Sequence, residues 1–139
     1  MTYTDTQAEL TIEGIKESTI VDYFASINQE NFEQTAALFS EDGQMLAPFE
    51  KPIIGRDAIA LYLAKEAKGM KLLPQTGIYE PSEAEDKIRV TGKVKTSLFS
   101  VNVAWYFSLD RGQIISARIK LLASPQELLG LRNTQEADI

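Results

Sequence analysis

The chain of 139 residues has no cysteine and no histidine. Their absence removes the thiolate nucleophile, the imidazole base, the disulfide and any His- or Cys-ligated metal, leaving only carboxylates, carbonyls and water for a cation. Basic residues are also scarce: 14 Lys and Arg stand against 20 Asp and Glu, a formal net charge of −6, and the densest basic cluster is Lys65, Lys68 and Lys71. That balance argues against nucleic acid, or an anionic membrane, as the main partner. Long apolar runs are missing too, since none approaches the roughly 20 residues that span a bilayer. The opening MTYTDTQAEL lacks the basic start and apolar stretch of a secretory signal, so a cytoplasmic location is expected. No internal repeat is visible. What is present, 44% apolar and 24% charged residues, is the composition of one soluble domain with a real core.

Periodicity divides the chain into a helical first half and a stranded second half. Ile20, Tyr23, Phe24 and Ile27 fall at i, i+3, i+4 and i+7, which predicts an amphipathic helix between Ile15 and Asn28. Asn31 with Gln34 reads as a capping-box start for a second helix with Phe32, Ala36 and Phe39 inward, ending before Glu41. Gln44 to Ala47 reads as a short extended piece. Gly55-Arg56-Asp57 then opens a third helix through Ala67, with Ile59, Tyr62 and Leu63 inward and Gly69 as its stop. From Met70 the period becomes two. Ile88, Val90, Gly92, Val94 and Thr96 share one face, as do Val101, Val103, Trp105, Phe107 and Leu109 on the next strand. Asp110-Arg111-Gly112 suits a hairpin turn before a last strand from Gln113 to Leu122, and Ser124-Pro125-Gln126-Glu127 predicts a short helix from Pro125 to Arg132. The expected fold class is α+β: a curved antiparallel sheet covered by three N-terminal helices, with a short C-terminal helix. Residues 1–11 are expected to form a flexible arm, 12–132 the single domain and 133–139 a flexible tail.

A cone of this kind leaves a pocket between helices and sheet, and its chemistry has to be argued from the pocket residues. Met45-Leu46-Ala47-Pro48-Phe49 and Asn102-Val103-Ala104-Trp105 hold no acid. The architecture resembles the nuclear transport factor two-like superfamily, whose ketosteroid isomerases place a base and an oxyanion acid in those two stretches. Catalysis is therefore not expected. Glu50 and Asp57 are the remaining candidate bases, and each sits where a surface charge or helix cap is the simpler reading. Tyr23 and Trp105, the single tryptophan, occupy inward positions and need a partner for O–H and N–H if buried. Pattern alone leaves two readings open: ordinary core aromatics, or two donors converging on one acceptor of a ligand.

The segments Asp22-Tyr23-Phe24, Leu38–Gly43, Pro48–Arg56, Val90–Val94, Asn102–Trp105 and Leu121–Pro125 carry a further resemblance. From about Ile12 to Arg132 the chain resembles the C-terminal domain of the orange carotenoid proteins, without that family's helical N-terminal domain and linker. The resemblance implies a free-standing domain homologue of cyanobacterial type that binds a ketocarotenoid of the canthaxanthin or echinenone kind. It implies that Tyr23 and Trp105 donate hydrogen bonds to the ring carbonyl and that Ile27, Leu72, Thr96, Val103 and Ile119 lie near the pigment. Glu66 matches the carboxylate that pairs with an Arg of the absent domain. Two departures stand out: the stretch between Thr96 and Asn102 is short, and Leu98 stands where a Trp is usual.

Size refines what that resemblance implies. A domain of this length has a diameter of about 37 Å, whereas a carotenoid is about as long as a bilayer core is thick, about 30 Å. One copy cannot enclose the polyene and keep a core, so a noncovalent two-fold homodimer is expected to share it. The expected function is a carrier that takes up pigment, transfers it to helical carotenoid proteins and quenches singlet oxygen, with transient contact at a thylakoid membrane and no nucleic-acid partner. The competing expectations are an isomerase or dehydratase of the same fold, which needs an inward, buried carboxylate, and a colourless dimerisation module, which needs a filled pocket.

Overall fold

The computed structural model describes residues 10–80 and 82–122. The expected helix Pro125–Arg132, the tail 133–139 and most of the arm 1–11 lie outside the described residues; Leu10 already packs half-buried against the core.

Three helices precede most of the sheet: α1 Ser18–Asn28, α2 Phe32–Ala37 and α3 Arg56–Glu66. The first is shorter than its apolar period predicts. Gly14, at φ 90°, turns the chain so that Ile12 bridges Ile15 and Glu13 bridges Thr76, and the helix begins only after this clip. Asn31 caps α2 by accepting from the Gln34 amide, while its own side-chain N–H donates to the Gln34 side chain at 2.8 Å. Phe39, expected on the second helix, is instead the first residue of a strand and fully buried.

The strands are β1 Phe39–Leu46, β2 Ile53–Ile54, β3 Lys71–Glu80, β4 Asp86–Lys95, β5 Ser100–Asp110 and β6 Gln113–Leu122. They form one sheet in the order β2-β1-β6-β5-β4-β3. Every ladder is antiparallel except β1 with β6, which is parallel. The β5–β6 turn has Arg111 at φ 54° and Gly112 at φ 79°, the paired positive dihedrals of a type I′ hairpin. Pro74 is tolerated because β3 is an edge strand and the ladder shifts register beside it.

Register also sorts the loops into two ends. Phe39 to Leu46 run alongside Ile114 to Arg118 in the same direction, and Asn102 faces Leu122, Lys95 faces Ser100 and Lys71 faces Lys95. The loop after β1, the end of β6, the β4–β5 hairpin and the start of β3 therefore share one end. The end of β3, the start of β4 and the turn at 110–113 share the other, where Thr19 donates to the Gly112 carbonyl at 2.7 Å. Between the ends, Ile20, Tyr23, Phe24 and Ile27 of α1 bury against Trp105, Phe107 and Val90 of the sheet's inner face.

Candidate functional site

At the end shared by the β4–β5 hairpin and the start of β3, the inner face stops short of a filled core. An apolar cavity of about 310 Å³ remains between α1, α3 and the sheet, at the small end of the range for ligand pockets. Tyr23 and Ile27 reach it from α1, Leu72 from β3, Val103 and Trp105 from β5, Ile119 from β6, and Thr96 from the turn after β4. All seven residues expected near a ligand thus meet in one volume.

Two polar tips break this apolar wall. Tyr23 and Trp105 are each 1% exposed. No hydrogen bond to the Tyr23 hydroxyl or the Trp105 ring N–H occurs among the described residues, and no buried side-chain nitrogen or oxygen there lacks a partner. Both side chains line the cavity, so each donor is buried beside its free volume. Burial pushes the Tyr23 hydroxyl well above its ordinary pKa of 10.0, with Tyr62 adding to the effect, so it is a neutral donor at ordinary pH.

Aromatic packing holds the donors still. Phe24 stands edge-on to both rings, 5.1 Å from Tyr23 and 4.7 Å from Trp105 between centroids, and Phe107 lies 5.0 Å from Tyr23. Such contacts add about 0.5–1.5 kcal/mol each beyond the area they bury. They also hold both rings in place.

One contributor escaped the sequence reading. Asn28, at the last position of α1, donates from its side-chain nitrogen to the Leu72 carbonyl at 2.9 Å and accepts from the Leu72 amide at 2.7 Å. The helix end is thereby tied to the strand that supplies Leu72 to the cavity. Nothing local marks this role, because an Asn at a helix terminus ordinarily reads as a cap. Further lining comes from Met45, Ala47, Pro48, Tyr62, Leu63 and Met70; the inward stripe of the third helix already pointed to Tyr62 and Leu63.

The candidate bases lie elsewhere. Glu50 and Asp57 are exposed and neither lines the cavity, while Glu66 sits exposed at its mouth. Partial burial, with the charges of Glu50 and Glu66 adding, raises the pKa of the nearby Tyr62 hydroxyl. No group of three or more Asp or Glu able to hold a metal occurs among the described residues.

No family model matches the chain. It is 38% identical over 131 residues to the orange carotenoid-binding protein of Limnospira maxima, a match covering 90% of this chain and 41% of that protein. The orange carotenoid protein of Anabaena (Nostoc) sp. PCC 7120, solved binding canthaxanthin, superposes with a TM-score of 0.79 and 41% identity over 87% of this chain and 40% of that one. A protein from Cytophaga hutchinsonii described as NTF2-like matches the fold alone, with a TM-score of 0.62 and 12% identity over 86% of this chain and 99% of its own. The chain thus spans about two-fifths of the length of the orange carotenoid proteins it matches. Its α+β cone is the nuclear transport factor two-like fold, and the chain is a homologue of the C-terminal domain of the orange carotenoid proteins.

Proposed function

We propose that the cavity receives one keto-substituted end ring of a carotenoid and that the chain acts as a pigment carrier with no covalent chemistry. A single observation carries this reading: two buried donors with no partner among the described residues, Tyr23 and Trp105, lie beside one otherwise apolar volume. A ring carbonyl is an acceptor that satisfies both donors while its hydrocarbon frame fills the rest. Burial of apolar surface at about 25 cal/mol per Å² dominates the affinity, and each hydrogen bond adds about 1 kcal/mol net. Tyr23 and Trp105 therefore set orientation and colour more than tightness. When bound, the conjugated polyene supplies visible absorption and singlet-oxygen quenching.

The volume of about 310 Å³ suits an end ring with a short part of the chain, not a whole carotenoid. A second copy covers the remainder in a homodimer, and a helical carotenoid protein accepts the pigment in turn. In the test, the protein is purified from cells that make ketocarotenoids, alongside Trp105→Phe. The expected wild-type preparation is coloured and passes its pigment to a helical acceptor, and the variant absorbs further to the blue because the carbonyl is less polarised. A colourless wild-type preparation overturns the reading, and an unchanged variant spectrum overturns the role of Trp105.

A further inference from the structure

With no cysteine in the chain, methionine is the most readily oxidised side chain left to it. The sequence holds three methionines, Met1, Met45 and Met70, and both internal ones line the cavity. They differ in access. Met45 is 1% exposed in β1, registered against Ile53 on one side and Ala117 on the other. Met70 is half-buried between α3 and β3, packed on the margin of the core.

The backbone at Met70 is pinned from both sides. Its amide donates to the Ala67 carbonyl at 3.1 Å, and the amide of Gly69, at φ 86°, donates to the Glu30 carboxylate at 2.8 Å. A fixed backbone carrying an unbranched thioether with three rotatable bonds gives a wall that adapts to its ligand. The lining residues that flank it in the chain, Leu63, Ala67 and Leu72, are buried and apolar. An oxygen added to the Met70 sulfur therefore meets no hydrogen-bond donor on those side chains, and a strongly polar group then stands in a wall shaped for hydrocarbon.

We propose that Met70 is a modification site, whose oxidation to the sulfoxide by a hydroperoxide weakens the hold of the cavity on its pigment. The sulfur lone pair attacks one peroxide oxygen, the O–O bond breaks and an S–O bond forms. Sulfur gives up two electrons and the peroxide takes them; the transferred oxygen passes its proton to the leaving oxygen, which departs as water or an alcohol. Met45 is shielded from the same attack by its burial. Pigment seated against Met70 shields that sulfur as well, so loaded protein oxidises more slowly than empty protein. Because the affinity altered is that of the cavity for pigment, this regulation rests on the carrier reading above.

The test treats the pigment-free full chain with hydrogen peroxide, follows each methionine by peptide mass spectrometry and measures canthaxanthin uptake from detergent by absorbance. Met70 is expected to gain its oxygen well before Met45, and affinity for canthaxanthin to fall on the order of tenfold as it does so. The two methionine sulfoxide reductases, one for each sulfur epimer, restore it. Met70→Leu keeps after peroxide whatever uptake it shows before, while Met70→Gln, polar and of similar length, is weakened without any oxidant. An untreated wild type that takes up no canthaxanthin overturns the carrier reading, and the regulation with it. Uptake that is present before treatment and survives oxidation of Met70 overturns the regulation alone. So do oxidation of Met45 ahead of Met70, a peroxide effect that persists in Met70→Leu, and a loss that the reductases fail to reverse. A collapse of the denaturation midpoint when Met70 is oxidised overturns it too, because the loss is then one of fold.

Discussion

Tyr23→Phe separates a ligand-facing hydroxyl from an ordinary core phenol, because the two give opposite signs in stability. The ring stays, with its edge contacts to Phe24 and Phe107 at 5.1 and 5.0 Å, so packing is conserved and only the hydroxyl is lost. In the empty protein that hydroxyl is buried beside the cavity with no partner among the described residues, so its removal relieves a poorly solvated polar group. The expected change is between zero and about 1 kcal/mol of added stability, a rise of up to about 3 °C in Tm for a domain of this size. Had the hydroxyl been bonded within the fold, the same substitution would cost about 1 kcal/mol or more. Pigment binding moves the other way: one lost hydrogen bond of about 1 kcal/mol weakens it about fivefold and shifts the bound spectrum to the blue. Chemical denaturation of the empty protein and absorbance titration of the loaded one read the two effects. A variant that loses stability while keeping its pigment spectrum refutes the argument outright.

Two further outcomes follow from the same geometry. Below pH ~10 Tyr23 is protonated in both the folded and the unfolded chain; above it the unfolded chain releases a proton that the buried phenol keeps, so stability falls by up to about 1.4 kcal/mol per pH unit. The gap between the denaturation midpoints of wild type and Tyr23→Phe should stay constant up to that pH and widen only above it, and a constant gap throughout would show that Tyr23 is not the group responsible. Asn28→Ala removes both bonds to Leu72 and should lower stability by about 2 kcal/mol. Hydrogen exchange at Leu72 and its neighbours should rise more than at Val90, and uniform loosening would argue against a local clasp.

The sheet was legible wherever one face is wet: Ile88 and Val90 on β4, and Phe107 and Leu109 on β5, alternate with exposed or half-buried neighbours. Less legible was the stretch from Phe32 to Leu46, where Phe39 fits a helical stripe and a strand start equally well, and pairing with Ile114 decides between them. The cavity is not written in periodicity at all. Trp105 at the cavity and Leu109 in the filled core occupy equivalent inward positions on β5, and only the placement of α1 and α3 leaves space beside one of them. Candidate lining residues came from family resemblance. Asn28 stayed hidden because its partner lies 44 residues away.

The clip at Ile12–Ile15 and the Asn28 side chain together have a consequence for assembly. Both act on the outer rim of β3, where Leu72 is bonded by Asn28, the Gln75 carbonyl and Gly77 amide are taken by Glu13, and Pro74 has no N–H to offer. The opposite rim, β2, is only two residues long. A sheet insulated in this way resists extension by strand addition, and a second copy has no continuous row of free amides on which to register. Self-association is thereby steered from the sheet's sides toward its faces and ends, including the end that holds the cavity.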